Sequence, residues 1–155
     1  METTAEKIMS TEIETVPEDM TVEDLATFLT DKEISGAPVV DRNARLVGVV
    51  SVTDIVRSGI DRAGTEAPAG PPTFFLTSQW RGLSLQDYGE LTVRSEGLLV
   101  RDIMTPTVYT VPSETSVQKI ARTMVAGRVH RLLVTKQEKV VGIVTSLDVL
   151  KLLCE

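Results

Sequence analysis

Two short polar segments of the chain place hydroxyl and carboxyl side chains at the same spacing. They run from Ser51 to Asp54 (Ser-Val-Thr-Asp) and from Thr145 to Asp148 (Thr-Ser-Leu-Asp). A Ser or Thr followed three residues later by an acid is typical of a capping box, which satisfies unpaired N–H groups at a helix start. The same arrangement could bind a ligand, because a helix N-terminus favours phosphate and a nearby Asp can accept both hydrogens of a ribose diol. Of these two interpretations, either motif alone favours the capping box.

The two segments belong to an internal repeat. Ile8-Met9-Ser10 recurs as Ile103-Met104-Thr105 at a spacing of 95 residues, and residues 46–51 match residues 140–145 at a spacing of 94. The slip of one residue falls in two polar turns, 41–45 and 136–139, where loops tolerate changes of length. A repeat of this kind predicts that one structural unit is built twice.

Each copy predicts the same order of elements. Thr21 and Ser116 are N-cap residue types, and the apolar residues behind them, in 22–29 and 117–124, follow a helical spacing. Two short β-rich runs come next, at 37–40 and 46–50 and again at 132–135 and 140–144, and a polar turn joins each pair into a hairpin. A second short helix is predicted from Asp54 to about Ser58, and from Asp148 to about Cys154. The pattern indicates an α+β protein.

The segment between the copies matches neither of them. Residues 67–72 are rich in proline and glycine, which is typical of a turn or an extended linker. Four of the six aromatic residues follow at once, namely Phe74, Phe75, Trp80 and Tyr88. Flexible tethers are poor in aromatic residues. We therefore expect an ordered arm that packs against the domain or a partner subunit and largely buries Trp80.

Composition excludes several classes of protein. A chain of 155 residues that is 42% hydrophobic and 25% charged is typical of one ordinary globular domain, and no apolar run is long enough to span a membrane. The acidic start lacks the features of a secretory signal, so a cytoplasmic location is expected. A single histidine, His130, and a single cysteine, Cys154, predict no disulfide and no Cys/His zinc site. A net charge of −6 argues against nucleic acid as a partner.

A pair of units that begin with Ile-Met-Ser/Thr and end with Gly-φ-φ-Ser/Thr-x-x-Asp, where φ is an apolar residue, resembles the CBS domain. The resemblance covers residues 5–58 and 99–154 and implies one CBS unit at 5–58, an insert at 59–98 and a second unit at 99–155. By this resemblance the fold is α+β, with two units of β-α-β-β-α type packed through their sheets around a pseudo-twofold axis. The clefts between the units are where members of the family bind adenine nucleotides.

The resemblance also assigns residues to the ligand. Asp54 and Asp148 would hold ribose, Thr53 and Thr145 would hold ribose or phosphate, and Leu147 replaces the second hydroxyl in the second copy. The remaining positions form the slot for adenine and the approach to the phosphates. They are Ser10, Thr11, Ser35, Gly36, Ala37, Pro38 and Ser51 in the first copy, and Thr105, Pro106, Val129, His130, Arg131 and Leu132 in the second.

The pair His130-Arg131 resembles a His-Arg pair that the regulatory subunits of AMP-activated protein kinase direct at phosphates. An Arg guanidinium forms a bidentate fork to phosphate oxygens, and a neighbouring His adds a further donor. A surface cation beside a satisfied imidazole explains the pair about as well. Ser35-Gly36 stand at this place in the first copy, so phosphate charge would be met mainly by the second repeat. Residues 101–155 carry a net charge of +3 and residues 1–60 a net charge of −7.

The leading hypothesis is a regulatory module without catalytic activity that senses AMP, ADP or ATP and has no cofactor and no metal. The sequence lacks a phosphate-binding glycine loop and a nucleophile elbow, which favours this class over an enzyme. A homodimer is expected to cover the apolar face of the first helix of each copy, formed by Leu25, Phe28, Leu29, Met124 and Val125. The alternative hypothesis is a ligand-free module for dimerisation or for docking a regulated protein partner.

Overall fold

The computed structural model describes residues 2–63, 97–106 and 108–154, and for residues 59–63 it describes the backbone alone. The prediction of an ordered arm around Phe74, Phe75 and Trp80 lies outside the described residues. No helix in the described ranges is long and apolar enough to cross a membrane.

The chain forms the same order of elements twice, as the repeat predicts. Each copy contributes a short leading helix, a strand, a helix, a two-stranded hairpin and a final helix, and the α+β class is therefore confirmed. The elements of the first copy are α1 (Ala5–Ile8), β1 (Val16–Pro17), α2 (Val22–Asp31), β2 (Gly36–Val40), β3 (Leu46–Ser51) and α3 (Val52–Ala63). Those of the second copy are α4 (Val100–Ile103), β4 (Thr110–Pro112), α5 (Val117–Gly127), β5 (Arg131–Lys136), β6 (Lys139–Thr145) and α6 (Ser146–Lys151).

The strands form two sheets of three strands each, in the orders β1-β2-β3 and β4-β5-β6. The first strand of each sheet runs parallel to the second, and the second runs antiparallel to the third. The central strand β2 is buried along most of its length, and the central strand β5 is buried at residues 132–134. The helix stripes predicted from the sequence pack inward, with Leu25 and Ile120 fully buried.

The equivalent hairpin turns at 41–45 and 136–139 contain five and four residues, and this difference is the slip in the repeat. In the first hairpin, residues 41–45 form a five-residue loop in which Asp41 Oδ1 accepts the N–H groups of Asn43 and Arg45, at 2.8 and 3.0 Å. The second hairpin closes through Gln137 and Glu138 alone, and both have positive φ, of 52° and 64°. Positive φ at both central residues is the geometry of a type I′ turn, which matches the twist of the flanking strands.

Both final helices begin earlier than the sequence pattern indicates. They start at Val52 and Ser146, directly after the hydroxyl residues that cap them, and not at Asp54 and Asp148. The helix α3 also continues beyond its predicted end near Ser58, to Ala63. The helix α6 is shorter than predicted because its last turn tightens into i−3 hydrogen bonds, such as that from the Leu153 N–H to the Leu150 carbonyl at 2.9 Å.

The compact units of the structure combine pieces of both repeats. One unit, here the β1–β3 unit, consists of residues 15–63 and 97–106, and the other, the β4–β6 unit, consists of residues 2–14 and 108–154. The segments that open each repeat, residues 3–11 and 98–106, are called the first and second leading segments below. Each leading segment therefore belongs to the unit built mainly by the other repeat.

The helix face assigned to a homodimer is corrected by the structure. The side chains of Leu25, Leu29 and Met124 are 0, 1 and 6% exposed within the chain itself, so they are not free to meet a second copy. Phe28 is half-buried against the core of the β1–β3 unit. Among these five positions only Val125 is largely exposed, at 79%.

Candidate functional site

Each leading segment adds to the open edge of a sheet. In the β4–β6 unit, Ser10 exchanges two backbone hydrogen bonds with Ile143 of β6, at 2.9 and 3.0 Å. In the β1–β3 unit, Thr105 exchanges the equivalent pair with Val49 of β3, at 2.8 and 3.0 Å. The structure thus brings Ser10 and Thr11 to the second hairpin, and Thr105 and Pro106 to the first hairpin.

Two glycines make this close approach possible. A Cβ atom on Gly48 would lie 2.7 Å from the Thr105 carbonyl oxygen and 2.9 Å from Met104 Sδ. A Cβ atom on Gly142 would lie 2.7 Å from Met9 Cγ and 2.9 Å from Met9 Cβ. Each glycine thus leaves room for the methionine of a leading segment. This role was not predicted from the sequence, although the paired Met and Gly positions recur in both copies.

Strand register places three candidate residues on one face of the β4–β6 sheet. Thr145 lies two residues after Ile143 and therefore points to the same face, as does Ser10 opposite Ile143. Arg131 is the partner of Thr145 across β5 and β6, so its side chain shares that face. Ser10, Arg131 and Thr145 thus form one cluster at the end of the hairpin where α6 begins.

The β1–β3 unit repeats this cluster with different side chains. Thr105 lies opposite Val49, and Ser51 follows two residues later on the same face of the sheet. Gly36 is the partner of Ser51 across β2 and β3, and it stands where the other unit has Arg131. The equivalence of Ser35-Gly36 and His130-Arg131, inferred from the sequence, therefore holds in the structure.

The two aspartates cap the helices that follow the clusters. Asp54 Oδ2 accepts the N–H of Ser51 at 2.8 Å and its hydroxyl at 3.1 Å. Asp148 Oδ2 accepts the N–H of Thr145 at 2.9 Å and its hydroxyl at 2.7 Å. Both motifs therefore cap their helices. Each carboxylate also lies beside a hydroxyl group, as binding of a ribose or phosphate would require.

The two carboxyl groups differ in their electrostatic setting. Burial of Asp54, which is 8% exposed, raises its pKa to about 6, and hydrogen bonds from Ser51 and the charge of Arg57 only partly oppose this. Burial also acts to raise the pKa of Asp148, but hydrogen bonds from Thr145 and Lys151 together hold it below its ordinary value. Lys151 Nζ lies 3.2 Å from Asp148 Oδ1. The second carboxyl is therefore the more firmly ionised of the two.

The start of the central strand differs most between the units. His130 is exposed, and its carbonyl accepts the N–H of Ser146 at 2.9 Å; the Ser35 carbonyl accepts the N–H of Val52 at the same distance. Arg131 is half-buried, and desolvation lowers the pKa of its guanidinium. The first copy has no cation at either of these two positions.

Other residues assigned by the resemblance lie at the margins of the clusters or in the cores. Thr11 and Pro106 are exposed, and Thr53 is half-buried where its counterpart Leu147 is 64% exposed. The side chains of four further positions are buried, so a ligand would meet only their backbone atoms. They are Ala37, Pro38, Val129 and Leu132.

No group of three or more His, Cys, Asp or Glu side chains in the described ranges is placed to hold a metal ion.

These repeated clusters and sheets identify the class of protein. The family model of the CBS domain matches residues 5–61 and 100–155. The chain therefore belongs to the CBS domain family and carries two copies of the domain.

The relatives include a plant protein of the same class. The chloroplastic CBS domain-containing protein CBSX2 of Arabidopsis thaliana is 30% identical over 133 residues, which are 84% of this chain and 54% of the relative. The chain spans about half the length of the curated relatives CBSX2 and CBSX1.

Solved structures share the fold. The CBS domain of a membrane protein from Sphaerobacter thermophilus superposes with a TM-score of 0.69 at 30% identity, covering 97% of this chain and 88% of that one. The crystal structure of CBSX2 in complex with AMP superposes with a TM-score of 0.66 at 25% identity, covering 97% of this chain and 96% of that one.

Proposed function

We propose that the chain is a regulatory module without catalytic activity that binds adenine nucleotides of the AMP, ADP or ATP type. The observation that carries the proposal is the cluster found once in each unit. Each cluster joins a Ser or Thr of a leading segment, a hydroxyl residue at a strand end and an aspartate in the following helix. The AMP complex of CBSX2 supports the choice of ligand.

The caps leave the aspartates able to take part in binding. A carboxylate has two oxygens and about four lone-pair sites. Asp54 and Asp148 each use Oδ2 for the cap, where it accepts two hydrogen bonds. The cap fixes the carboxyl group in place, so a ribose diol would meet a pre-oriented acceptor and little side-chain entropy would be lost on binding.

Regulation requires that the nucleotide bind one conformation more tightly than another. The leading segments are suited to transmit the effect of binding. Each one contributes a residue to the cluster of one unit and is continuous in sequence with the repeat that builds the other unit. A ligand that contacts Ser10 or Thr105 would therefore bias the docking of these segments.

Thermal unfolding with added nucleotide tests the proposal. AMP at about 100 times its Kd should stabilise the native protein by about 2.7 kcal/mol, since a ligand of the native state adds RT ln(1 + [L]/Kd). GMP at equal concentration should have a much smaller effect. Asp148→Asn should reduce the response to AMP. Asp102→Asn is the matched control, because Asp102 also caps a helix, through the Leu99 N–H at 2.8 Å, but lies in neither cluster.

No rise in melting temperature with AMP, ADP or ATP would contradict the proposed function. An unchanged response in the double variant Asp54→Asn/Asp148→Asn would contradict the assignment of the two aspartates while leaving nucleotide binding in place.

We further propose that the module forms a homodimer through the exposed apolar surface of the β4–β6 unit. Val125, Leu147, Leu150 and Leu153 are 79, 64, 52 and 80% exposed. Residues 2–14 and 108–154 carry a net charge of +1, and residues 15–58 and 97–106 a net charge of −4. The opposed charges favour a head-to-tail contact in which the β4–β6 unit of one copy meets the β1–β3 unit of the other.

Sedimentation equilibrium tests the dimer. The unmodified chain should sediment as a dimer at micromolar concentration, and Leu150→Glu should shift it to the monomer, because a carboxylate would be desolvated in the interface. Glu114→Lys is a suitable control on an exposed residue of the same unit. A monomeric unmodified chain would refute the dimer and leave nucleotide binding to be judged separately.

The alternative function is docking of a regulated protein partner by a ligand-free module. The same exposed leucines favour it, and the thermal experiment separates it from nucleotide sensing.

A further inference from the structure

The two clusters differ in charge at one register position. Arg131 lies opposite Thr145 in the β4–β6 unit, and Gly36 lies opposite Ser51 in the β1–β3 unit. Cross-strand partners have Cβ atoms about 4.5–5.5 Å apart, so the Arg131 guanidinium is within reach of a ligand held by Thr145. Glycine at this position supplies no charge and no side-chain donor.

The neighbouring positions do not compensate for this difference. Ser35 stands in the place of His130. A cation follows each aspartate three residues later, Arg57 in one unit and Lys151 in the other. Because that cation occurs in both units, it cannot distinguish their ligands.

The net charge of each unit also favours a phosphate in the β4–β6 unit over the β1–β3 unit. The β1–β3 unit, over residues 15–58 and 97–106, has nine acidic and five basic residues, and the β4–β6 unit, over residues 2–14 and 108–154, has seven acidic and eight basic residues. Asp54 is 8% exposed, so its charge is poorly screened by water. A phosphate beside it would meet a like charge, and the position opposite Ser51 is Gly36, where the other unit has the guanidinium of Arg131.

We propose that the two sites take ligands of different charge: the β4–β6 unit binds a phosphorylated adenine nucleotide, and the β1–β3 unit binds an uncharged adenine nucleoside. The assignment rests on the proposed function and adds a ligand class for each site. In the β4–β6 unit the guanidinium of Arg131 meets the phosphate. In the β1–β3 unit the hydroxyl groups of Ser51 and Thr105, together with Asp54, meet a ligand that brings no charge.

Calorimetric titration of single-site variants with AMP and adenosine tests the assignment. Asp148→Asn leaves the site of the β1–β3 unit, which should bind adenosine at least tenfold more tightly than AMP. Asp54→Asn leaves the site of the β4–β6 unit, which should bind AMP at least tenfold more tightly than adenosine. Raising the salt concentration should weaken AMP binding to Asp54→Asn and should leave adenosine binding to Asp148→Asn nearly unchanged.

An exchange of the distinguishing residue tests the role of the Arg131 guanidinium directly. Arg131→Gly should weaken AMP binding at least tenfold in the Asp54→Asn background without changing adenosine binding, and Gly36→Arg should raise AMP affinity in the Asp148→Asn background. If Asp148→Asn binds AMP as tightly as adenosine, the assignment of ligand classes is overturned and the proposed function stands. If the unmodified protein binds neither ligand, the proposed function itself falls, and the assignment falls with it.

Discussion

Asp54→Asn is expected to make the ligand-free protein more stable at pH 7. Burial raises the pKa of Asp54 to about 6 from an ordinary value of 3.8. Between these values the folded chain binds more protons than the unfolded chain, so stability falls as the pH rises through the window. At 1.36 kcal/mol per pKa unit, the buried charge costs about 3 kcal/mol above pH 6. An Asn carbonyl at this position can still accept the Ser51 hydrogen bonds.

Urea unfolding at pH 4.5 and pH 7.5 measures this effect. The gain in free energy of unfolding from Asp54→Asn should be largest at pH 7.5 and should fall to about one third of that value at pH 4.5, because the native carboxyl is then mostly protonated while the unfolded one, with an ordinary pKa of 3.8, is still mostly ionised. Asp148→Asn is the matched control with the opposite sign. The pKa of Asp148 is lowered, so its charge contributes stability above its unfolded pKa, and that contribution is lost as the pH falls through its folded pKa.

A loss of stability in Asp54→Asn at pH 7.5 would show that the cap depends on the negative charge. The expected gain, combined with weaker ligand binding, would show that a charge unfavourable for folding is retained for its function.

The sequence could predict the elements of both copies but not the pairing of the leading segments. Helix stripes such as that around Leu25 and the alternation in the hairpins are local signals, and local sequence determines them. The pairing of Ser10 with Ile143 and of Thr105 with Val49 joins residues that are 133 and 56 positions apart, and no local pattern reports such contacts. The recurrence of a Met and a Gly in both copies is a signal for this pairing. It can be interpreted only after the close approach of Met9 to Gly142 is known.

The part of the candidate site that depends on local sequence motifs was also predictable. Asp54 and Asp148 follow from a short motif, and the structure confirms that each lies beside a hydroxyl residue at a helix start. The predicted ligand roles of Ala37 and Leu132 could not be judged from sequence, because their burial depends on which face of the strand meets the core. Their roles in binding remain predictions.

Deletion of residues 2–14 is expected to destabilise the second repeat and to spare the first. Five backbone hydrogen bonds join the first leading segment to residues 108–154, at 2.8 to 3.0 Å, and Ala5 is fully buried. At a net 0.5–1.5 kcal/mol for each bond, their loss costs roughly 2–6 kcal/mol. Hydrogen exchange should show lost protection at the amides of Val117 and Ile143, while Val49 and Thr105 should keep theirs.

Ser10→Pro is the point-mutation control in a chain of full length. It removes the N–H that bonds to the Ile143 carbonyl and should reproduce the effect on Ile143 at a smaller amplitude. If either variant instead exposes the amides of residues 15–58, the first leading segment would act on its own repeat, and the division into units would be wrong.

The exchange of leading segments has a consequence for biosynthesis. Residues 15–106 can complete the β1–β3 unit before residues 108–154 exist, whereas Ser10 must wait for Ile143. At about 5–20 residues per second, this delay is on the order of ten seconds, far longer than hairpin formation. In the earlier part of that time, until residue 104 is made, the edge of β3 and its Gly48 exist without Met104. Met9 and Ser10 have the same sequence pattern as Met104 and Thr105 and are made first, so correct folding requires that any early pairing of Met9 and Ser10 with β3 be weak enough to reverse.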